Sequence, residues 1–346
     1  MFRPFLAEDG AIIRLRAPGG AVSVSLLAEL VAIAGEFGAP MVQLTNRGNL
    51  QLRSLPDPLP GRLVERLMAT GLLPSPDHER VRNIIAAPLN RGLRSTVREL
   101  DAAICADPLL AALPGRFLWA VSDATAMVLG ESWDLALQVL DDTRARVLAA
   151  GRAVDVPLRS GVPEMIERAH AFMADRDAST IWNVRDLPSS ASVLRGMHPL
   201  TLAAPAPLTP GPVGGALVAG VPLGFLDARH VAGLAEVTLE VTITPWRSLV
   251  LDDGVSAIGA LQAAGFAVAA DSPWARFSAC VGAPSCRRTT SSTIELVRAA
   301  VESVRSQGPR VHVVGCDRRC GAPAGEHIAV VAPRALQDVM EAMSGA

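Results

Sequence analysis

A chain of 346 residues, 50% hydrophobic and 19% charged, is long enough for two domains and has the balance of a globular protein with a large core. Its net charge of −2 argues against nucleic acid or an anionic membrane surface as partner, and the lack of an apolar run of about 20 residues argues against a membrane span. The opening Met1–Gly10 has none of the charged, apolar and small-residue regions of a signal peptide. The chain is therefore expected in the cytoplasm, where paired cysteines bind metal more often than they form disulfides.

Residues 11–16 alternate as a strand does. Ser25 is placed to cap a helix whose Leu26, Leu30, Ile33 and Phe37 share one face before Gly38. Residues 41–53 alternate apolar and polar around a break at Gly48. A helix at 61–72 precedes the segment 81–90, another is expected at 95–106, and the segment 113–121 follows. Short strands at 133–139 and 144–148 and a helix at 163–174 come next. Pro199, Pro205, Pro207, Pro210 and Pro212 then mark 196–213 as a stiff linker.

The same order returns beyond the linker. Residues 215–220 repeat the first strand, 227–236 is a shorter helix capped by Asp227, and 239–251 stands where 43–53 stood. A helix at 255–264, a cysteine pair, and a helix with Ile294, Val297, Val301 and Val304 on one face follow. A strand at 310–314, a second cysteine pair, a strand at 328–333 and a helix at 335–343 end the chain. Matching Arg82–Pro88 to Ser278–Pro284 sets Asn90 opposite Cys286, and matching Arg116–Ser122 to Arg310–Cys316 sets Ser122 opposite Cys316. Repeats of this length imply two homologous halves about a pseudo-twofold axis.

The strongest chemical signal is Cys280-x5-Cys286 with Cys316-x3-Cys320, four of the five cysteines. Soft thiolates gathered this way hold an iron–sulfur cluster or a zinc ion. A helix expected just after Cys286 would turn its N-terminal amides toward an anionic cluster. Cys105 has no partner at metal spacing and reads as a core residue. His312 and His327 flank the second pair and are candidate ligands for a separate iron. No G-x-G-x-x-G follows a strand, so electrons are expected from a separate donor.

Together, 44–53, the Arg82-Asn83 segment, Leu113-Pro-Gly-Arg-Phe117 and the two cysteine pairs resemble the nitrite/sulfite reductase superfamily. That resemblance implies an α+β, duplicated nitrite/sulfite reductase-like fold with two pseudo-twofold-related halves. Each half would have a ferredoxin-like half domain and a mixed α/β cluster or substrate domain. The expected divisions are 1–75 and 76–195 for the first repeat, 196–213 as linker, and 214–270 and 271–346 for the second. Cys280, Cys286, Cys316 and Cys320 would then ligate a [4Fe-4S] cluster. Arg47, Arg82 and Arg116 would bind an anion or tetrapyrrole, with Arg53, Arg247, Asn46, Asn49 and Asn83 as lesser candidates. Arg287, Arg288, Arg318 and Arg319 could offset cluster charge or bind substrate.

Within the superfamily, Thr244-Pro-Trp-Arg-Ser-Leu-Val-Leu251, Gly220-Val-Pro-Leu-Gly224 and Leu113–Phe117 are most similar to the precorrin-3B synthase branch of aerobic cobalamin biosynthesis. The reductases carry a lysine pair where this chain has Arg116 and Leu118, and a Gln-Asn pair at the Trp246-Arg247 turn. The branch implies oxygen-dependent hydroxylation of precorrin-3A with lactone formation from a ring acetate. It also implies a mononuclear non-haem iron, and an NAD(P)H-linked reductase or ferredoxin as donor. The rival readings are a short sirohaem nitrite or sulfite reductase and a non-enzymatic iron–sulfur electron carrier.

Overall fold

The computed structural model describes residues 4–304, 308–323 and 326–344. Met1–Arg3, part of the segment read for a leader, lie outside the described residues. The first repeat opens with β1 (Phe5–Ala7), β2 (Gly10–Leu15), β3 (Ala21–Ser23), α1 (Val24–Phe37), β4 (Val42–Leu44), β5 (Leu50–Leu55) and α2 (Gly61–Ala69). An α/β layer follows: β6 (Ile84–Ala86), α3 (Arg94–Ala106), β7 (Trp119–Ser122), β8 (Leu135–Val139), β9 (Arg144–Ala149), β10 (Arg152–Pro157), α4 (Gly161–Asp175) and β11 (His198–Pro199). The second repeat runs β12 (Gly211–Val213), β13 (Ala216–Gly220), β14 (Phe225–Leu226), α5 (Ala228–Ala235), β15 (Glu240–Ile243), β16 (Ser248–Leu251) and α6 (Ile258–Ala263). Its α/β layer is β17 (Phe277–Ala279), α7 (Thr293–Ser303), β18 (Val311–Val314), β19 (Ile328–Val331) and α8 (Leu336–Ser344).

The two ferredoxin-like sheets exchange a strand. The first has the order β1-β2-β5-β4-β14 and the second β12-β13-β16-β15-β3. Each short strand before the first helix of a half thus completes the sheet of the other half: Val22 pairs with Val241, and Phe225 with Gln43. This reciprocity is the pseudo-twofold relation, and it merges the two half domains into one core in which Leu27, Leu30 and Ile33 meet Leu217, Leu234 and Leu261. Because the exchanging strands are two or three residues long, no periodicity announces them.

The crossing depends on Gly20. Its φ is +81°, and a β-carbon there would lie 2.2 Å from the Ile243 carbonyl oxygen. The cap of α1 is Ser23, whose Oγ accepts from the Leu26 amide at 3.1 Å, not Ser25 as the pattern suggested. Asp227 caps α5 as expected, accepting from the Arg229 and His230 amides.

The outer layers differ in size. β6, β7 and β8 are parallel, and β9–β11 extend them to six strands; β17, β18 and β19 form only the parallel three. The proline-rich stretch contributes an edge strand at each end, β11 on β10 and β12 on β13.

Hydrogen bonding also corrects the expected register between the halves. The Ala87 amide donates to the Val121 carbonyl as the Cys280 amide donates to Val313. Cys280 therefore stands where the first half has Ala87, not Ile84, and Cys316 stands opposite Ala124, not Ser122. Pairing the two prolines, Pro88 with Pro284, had hidden the longer turn that the second half inserts before its proline.

Candidate functional site

The parallel ladder delivers Cys280 and Cys316 to one end of the small sheet. Cys280 follows β17 directly, its amide still in the ladder to Val313 at 3.1 Å. The Gly315 amide, just past β18, donates to Cys280 Sγ at 3.2 Å, a contact that favours the thiolate. Thr293 Oγ1, at the start of α7, donates to the Cys280 carbonyl at 2.7 Å and locks the loop to the helix. The helix begins at Thr293, later than expected, and a turn that binds Cys286 N to Gly282 O at 2.7 Å intervenes.

Two glycines make this packing possible. A β-carbon at Gly282, whose φ is +59°, would stand 2.3 Å from Thr293 Oγ1, and one at Gly315 would stand 2.3 Å from Thr289 Cγ2. The first cysteine loop can therefore fold onto the start of α7, and the second pair can approach the loop after Cys286, only with glycine at these points. Cys316 and Cys320 are held in a turn in which the Arg319 amide donates to the Cys316 carbonyl at 3.2 Å.

All four cysteines line one cavity of about 690 Å³, with Arg14, Arg53, Arg247, Arg288 and Arg318. The other wall comes from β1, β2, β4 and β5 of the first half. Among the described residues, no three His, Cys, Asp or Glu side chains converge as a single-ion site requires. The thiols instead border a shared space.

The arginines in and beside this cavity fall into two groups. Arg53 is tied to Asp9 through two contacts of 3.1 Å, and Arg288 pairs with Glu8 at 3.2 Å. Arg14 instead meets the neutral Gln51 oxygen, at 3.0 Å, and the Phe5 ring, and burial with Arg53 and Arg80 nearby lowers its pKa. Deeper along the same strand edge, Arg16 is buried with an unpartnered Nε. Burial first, then the charges of Arg14 and Arg47, push its pKa down to about 9, with Glu79 opposing in part. Arg47 is also depressed by burial; Asp134 offsets this in part, while Arg116, Arg14 and Arg185 reinforce it. Of these cations only Arg16 is buried, while Arg47 is half-buried and Arg14 exposed; with Glu79 and Asp134 as the nearby counter-charges, an anion entering beside Arg16 and Arg47 would be favoured.

The candidates named from sequence separate accordingly. Arg47 donates to the Arg116 carbonyl, and the exposed Arg116 lies 6.0 Å from the Trp182 ring centroid. These two keep company with Arg14 and Arg16. Arg82 does not: its fork meets Asp101 in two contacts of 2.7 Å, its remaining nitrogen donates to the Leu72 carbonyl, and it is buried against α3. Its geometry is that of an internal strut. Asn49 and Asn83 are also structural, bonded to each other at 3.2 Å and to the backbone at Ala17, Arg80, Gly115 and Phe117. His312 is fully buried with Nδ1 2.8 Å from Ser278 Oγ, and its ring centroid is 5.8 Å from that of His327. No third ligand converges on that pair among the described residues.

Sequence reading passed over Arg14 and Arg16. Their signal was available: two arginines at alternate strand positions share the face opposite Ile13 and Leu15, just before Pro18-Gly19-Gly20.

Residues 6–69 match the family model of the nitrite/sulfite reductase ferredoxin-like half domain. The solved structure of Mycobacterium tuberculosis NirA protein superposes with a TM-score of 0.59 over 88% of this chain and 68% of that one, at 19% identity. No curated protein matches the chain. The fold is therefore a duplicated, α+β nitrite/sulfite reductase-like fold. The matched segment is the first half domain, and the strand exchange described above supplies the second. Among the described residues, no helix is long and apolar enough to cross a membrane.

Proposed function

We propose that this chain is an iron–sulfur oxidoreductase acting on an anionic tetrapyrrole, of the precorrin-3B synthase type. The observation that carries the reading is one cavity bordered by all four cysteines and by Arg14, Arg247 and Arg318, which have no carboxylate partner among the described residues, beside the paired Arg53 and Arg288. Four thiols bordering one cavity, one of them accepting from a backbone amide, could together hold a [4Fe-4S] cluster. Such a cluster, when bound, would supply single electrons.

The chain's own part is binding and orientation. Arg14 at the cavity wall, with Arg16, Arg47 and Arg116 beyond it, would take the acetate and propionate groups of precorrin-3A, which would offset the mutual repulsion of these cations. The apolar cleft wall of Ile12 and Leu44 would meet the ring edge and keep water out. The reaction proposed inserts one atom of molecular oxygen into precorrin-3A, sends the other to water with electrons and protons from a separate donor, and closes a lactone from a ring acetate. An NAD(P)H-linked reductase or a ferredoxin would be that donor. The mononuclear iron expected from the branch has no ligand set among the described residues, so no step is assigned to it.

A sirohaem-dependent nitrite or sulfite reductase is the second reading, favoured by the family model over 6–69. The replacement of the reductases' lysine pair by Arg116 and Leu118 speaks against it. Incubating anaerobically purified protein with precorrin-3A, oxygen and a reductant tests both. A product heavier by one oxygen supports the synthase reading. Sirohaem absorption in the purified protein, with reduction of sulfite or nitrite and no oxygen added to precorrin-3A, supports the reductase instead.

A further inference from the structure

The two halves each build a tight turn between their central strands, and the turns have the same hydrogen bonds. In the first, the Thr45 amide donates to the Asn49 carbonyl at 2.9 Å, and Thr45 Oγ1 accepts from the Arg47 and Asn49 amides. In the second, the Thr244 amide donates to the Ser248 carbonyl at 2.9 Å, and Thr244 Oγ1 accepts from the Trp246 and Ser248 amides. Position by position, Gly48 therefore corresponds to Arg247. Gly48 has φ +63°, where glycine is at ease; Arg247 has φ +56°, where a long side chain is strained.

Strain of this kind persists where a side chain is needed. The Arg247 side chain leaves the turn over Gly224, where a β-carbon would stand 2.9 Å from its Cδ. It ends beside the residue after Cys320: a β-carbon at Gly321 would lie 3.6 Å from its Nη2. It lines the cavity of the four cysteines. Among the described residues, no hydrogen-bond or ion-pair partner reaches its guanidinium, whereas Arg53 and Arg288 on the same wall have Asp9 and Glu8. Burial also lowers its pKa, as expected for a cation with no counter-charge.

We infer that Arg247 is the cationic counterpart of the four-thiolate site, a positioning residue that offsets the negative charge of the cluster next to Cys320. This rests on the cluster reading above. Reduction adds an electron to an already anionic group, so a fixed positive charge nearby favours the reduced state. The second half keeps a strained arginine at a glycine position for this charge; the first half, without cysteines at the matching loops, keeps the glycine.

The test is an EPR-monitored redox titration of the full chain, reconstituted anaerobically with iron and sulfide, with iron content measured in parallel. In Arg247→Gln and Arg247→Gly the ratio of reduced to oxidised cluster at a fixed ambient potential is expected to fall about tenfold, a shift of ~59 mV for a one-electron couple. Arg247→Lys should stay near the parent value. Arg247→Gly suits the φ of the turn, so its melting temperature should not fall. Loss of the cluster from the Gln and Gly variants, with retention in the Lys variant, supports the charge role equally. An unchanged potential in the Gln and Gly variants with iron retained overturns the inference alone, as does loss of the cluster from all three. A parent chain that takes up no iron and sulfide overturns the functional reading, and this inference with it.

Discussion

The duplication has left two comparable cavities. One lies between β4 and the loop after β17; its counterpart lies between β15 and the loop after β6. The first has about 690 Å³, four cysteines, and arginines with free donors. The second has about 270 Å³, no cysteine, and arginines that are largely matched: Arg91 meets Asp252 at 3.1 Å, and Arg94 meets Glu240. At its centre Asn90 turns inward on its own loop, with Oδ1 accepting from the Gly92 amide at 3.0 Å. The same backbone plan is thus largely closed by ion pairs in one half, while in the other Arg53 and Arg288 are paired but Arg14, Arg247 and Arg318 are not. Unpaired cations and thiols, and not the fold, distinguish the two cavities.

The largest effect expected is on the cysteines. Cys316→Ser should abolish cluster uptake, read as loss of iron and sulfide and of all activity, because a hydroxyl is a poor substitute for a thiolate. Placing the same serine at the corresponding position of the first half, Ala124→Ser, should leave iron content untouched.

The two kinds of buried arginine should part next. Arg82→Gln breaks a buried, fork-to-carboxylate pair and should cost about 3–5 kcal/mol in denaturant unfolding. Arg16→Gln should leave stability equal or higher, since a buried cation offset only in part by Glu79 is removed, while raising the KM for precorrin-3A about tenfold or more. Equal loss of stability in both would erase the distinction.

Loop packing gives a smaller effect. Gly315→Ala forces a β-carbon into Thr289 and should lower iron content several-fold. Asn90→Ala in the other half removes a local cap and a contact to Asp123, and should cost about 1 kcal/mol with no change in iron.

A pH-dependent effect concerns Asp134, the buried carboxylate that partly offsets Arg47. Burial pushes its pKa up to about 6, against the pull of the Leu118 and Val184 amides at 2.9 Å each. The folded state therefore holds the proton more tightly than the unfolded chain. Its contribution to stability is full below about pH 4 and is lost as pH rises through about 6. Asp134→Asn should flatten that part of the stability profile, a change of about 1–3 kcal/mol across the window.

Much of this was legible in residue order. The helices, the central strands, the repeat and the cysteine pairs follow from periodicity, caps and spacing. The strand exchange was not legible, because β3 and β14 are too short to carry a period and their partners lie in the opposite half of the chain. Nor was the fate of Arg82: nothing in Val81-Arg82-Asn83 tells of Asp101 one helix later. Arg247 was within reach, since aligning Thr45–Asn49 with Thr244–Ser248 sets an arginine on a glycine. The register error came from trusting a shared proline over the hydrogen-bonded ladder.

The most direct measurement is iron, acid-labile sulfide and zinc analysis of anaerobically reconstituted protein, with the EPR spectrum after reduction. About four irons and four sulfides per chain, lost in Cys316→Ser and unaffected by Ala124→Ser, are expected if one half alone holds a [4Fe-4S] cluster. One zinc per chain with no sulfide would contradict it.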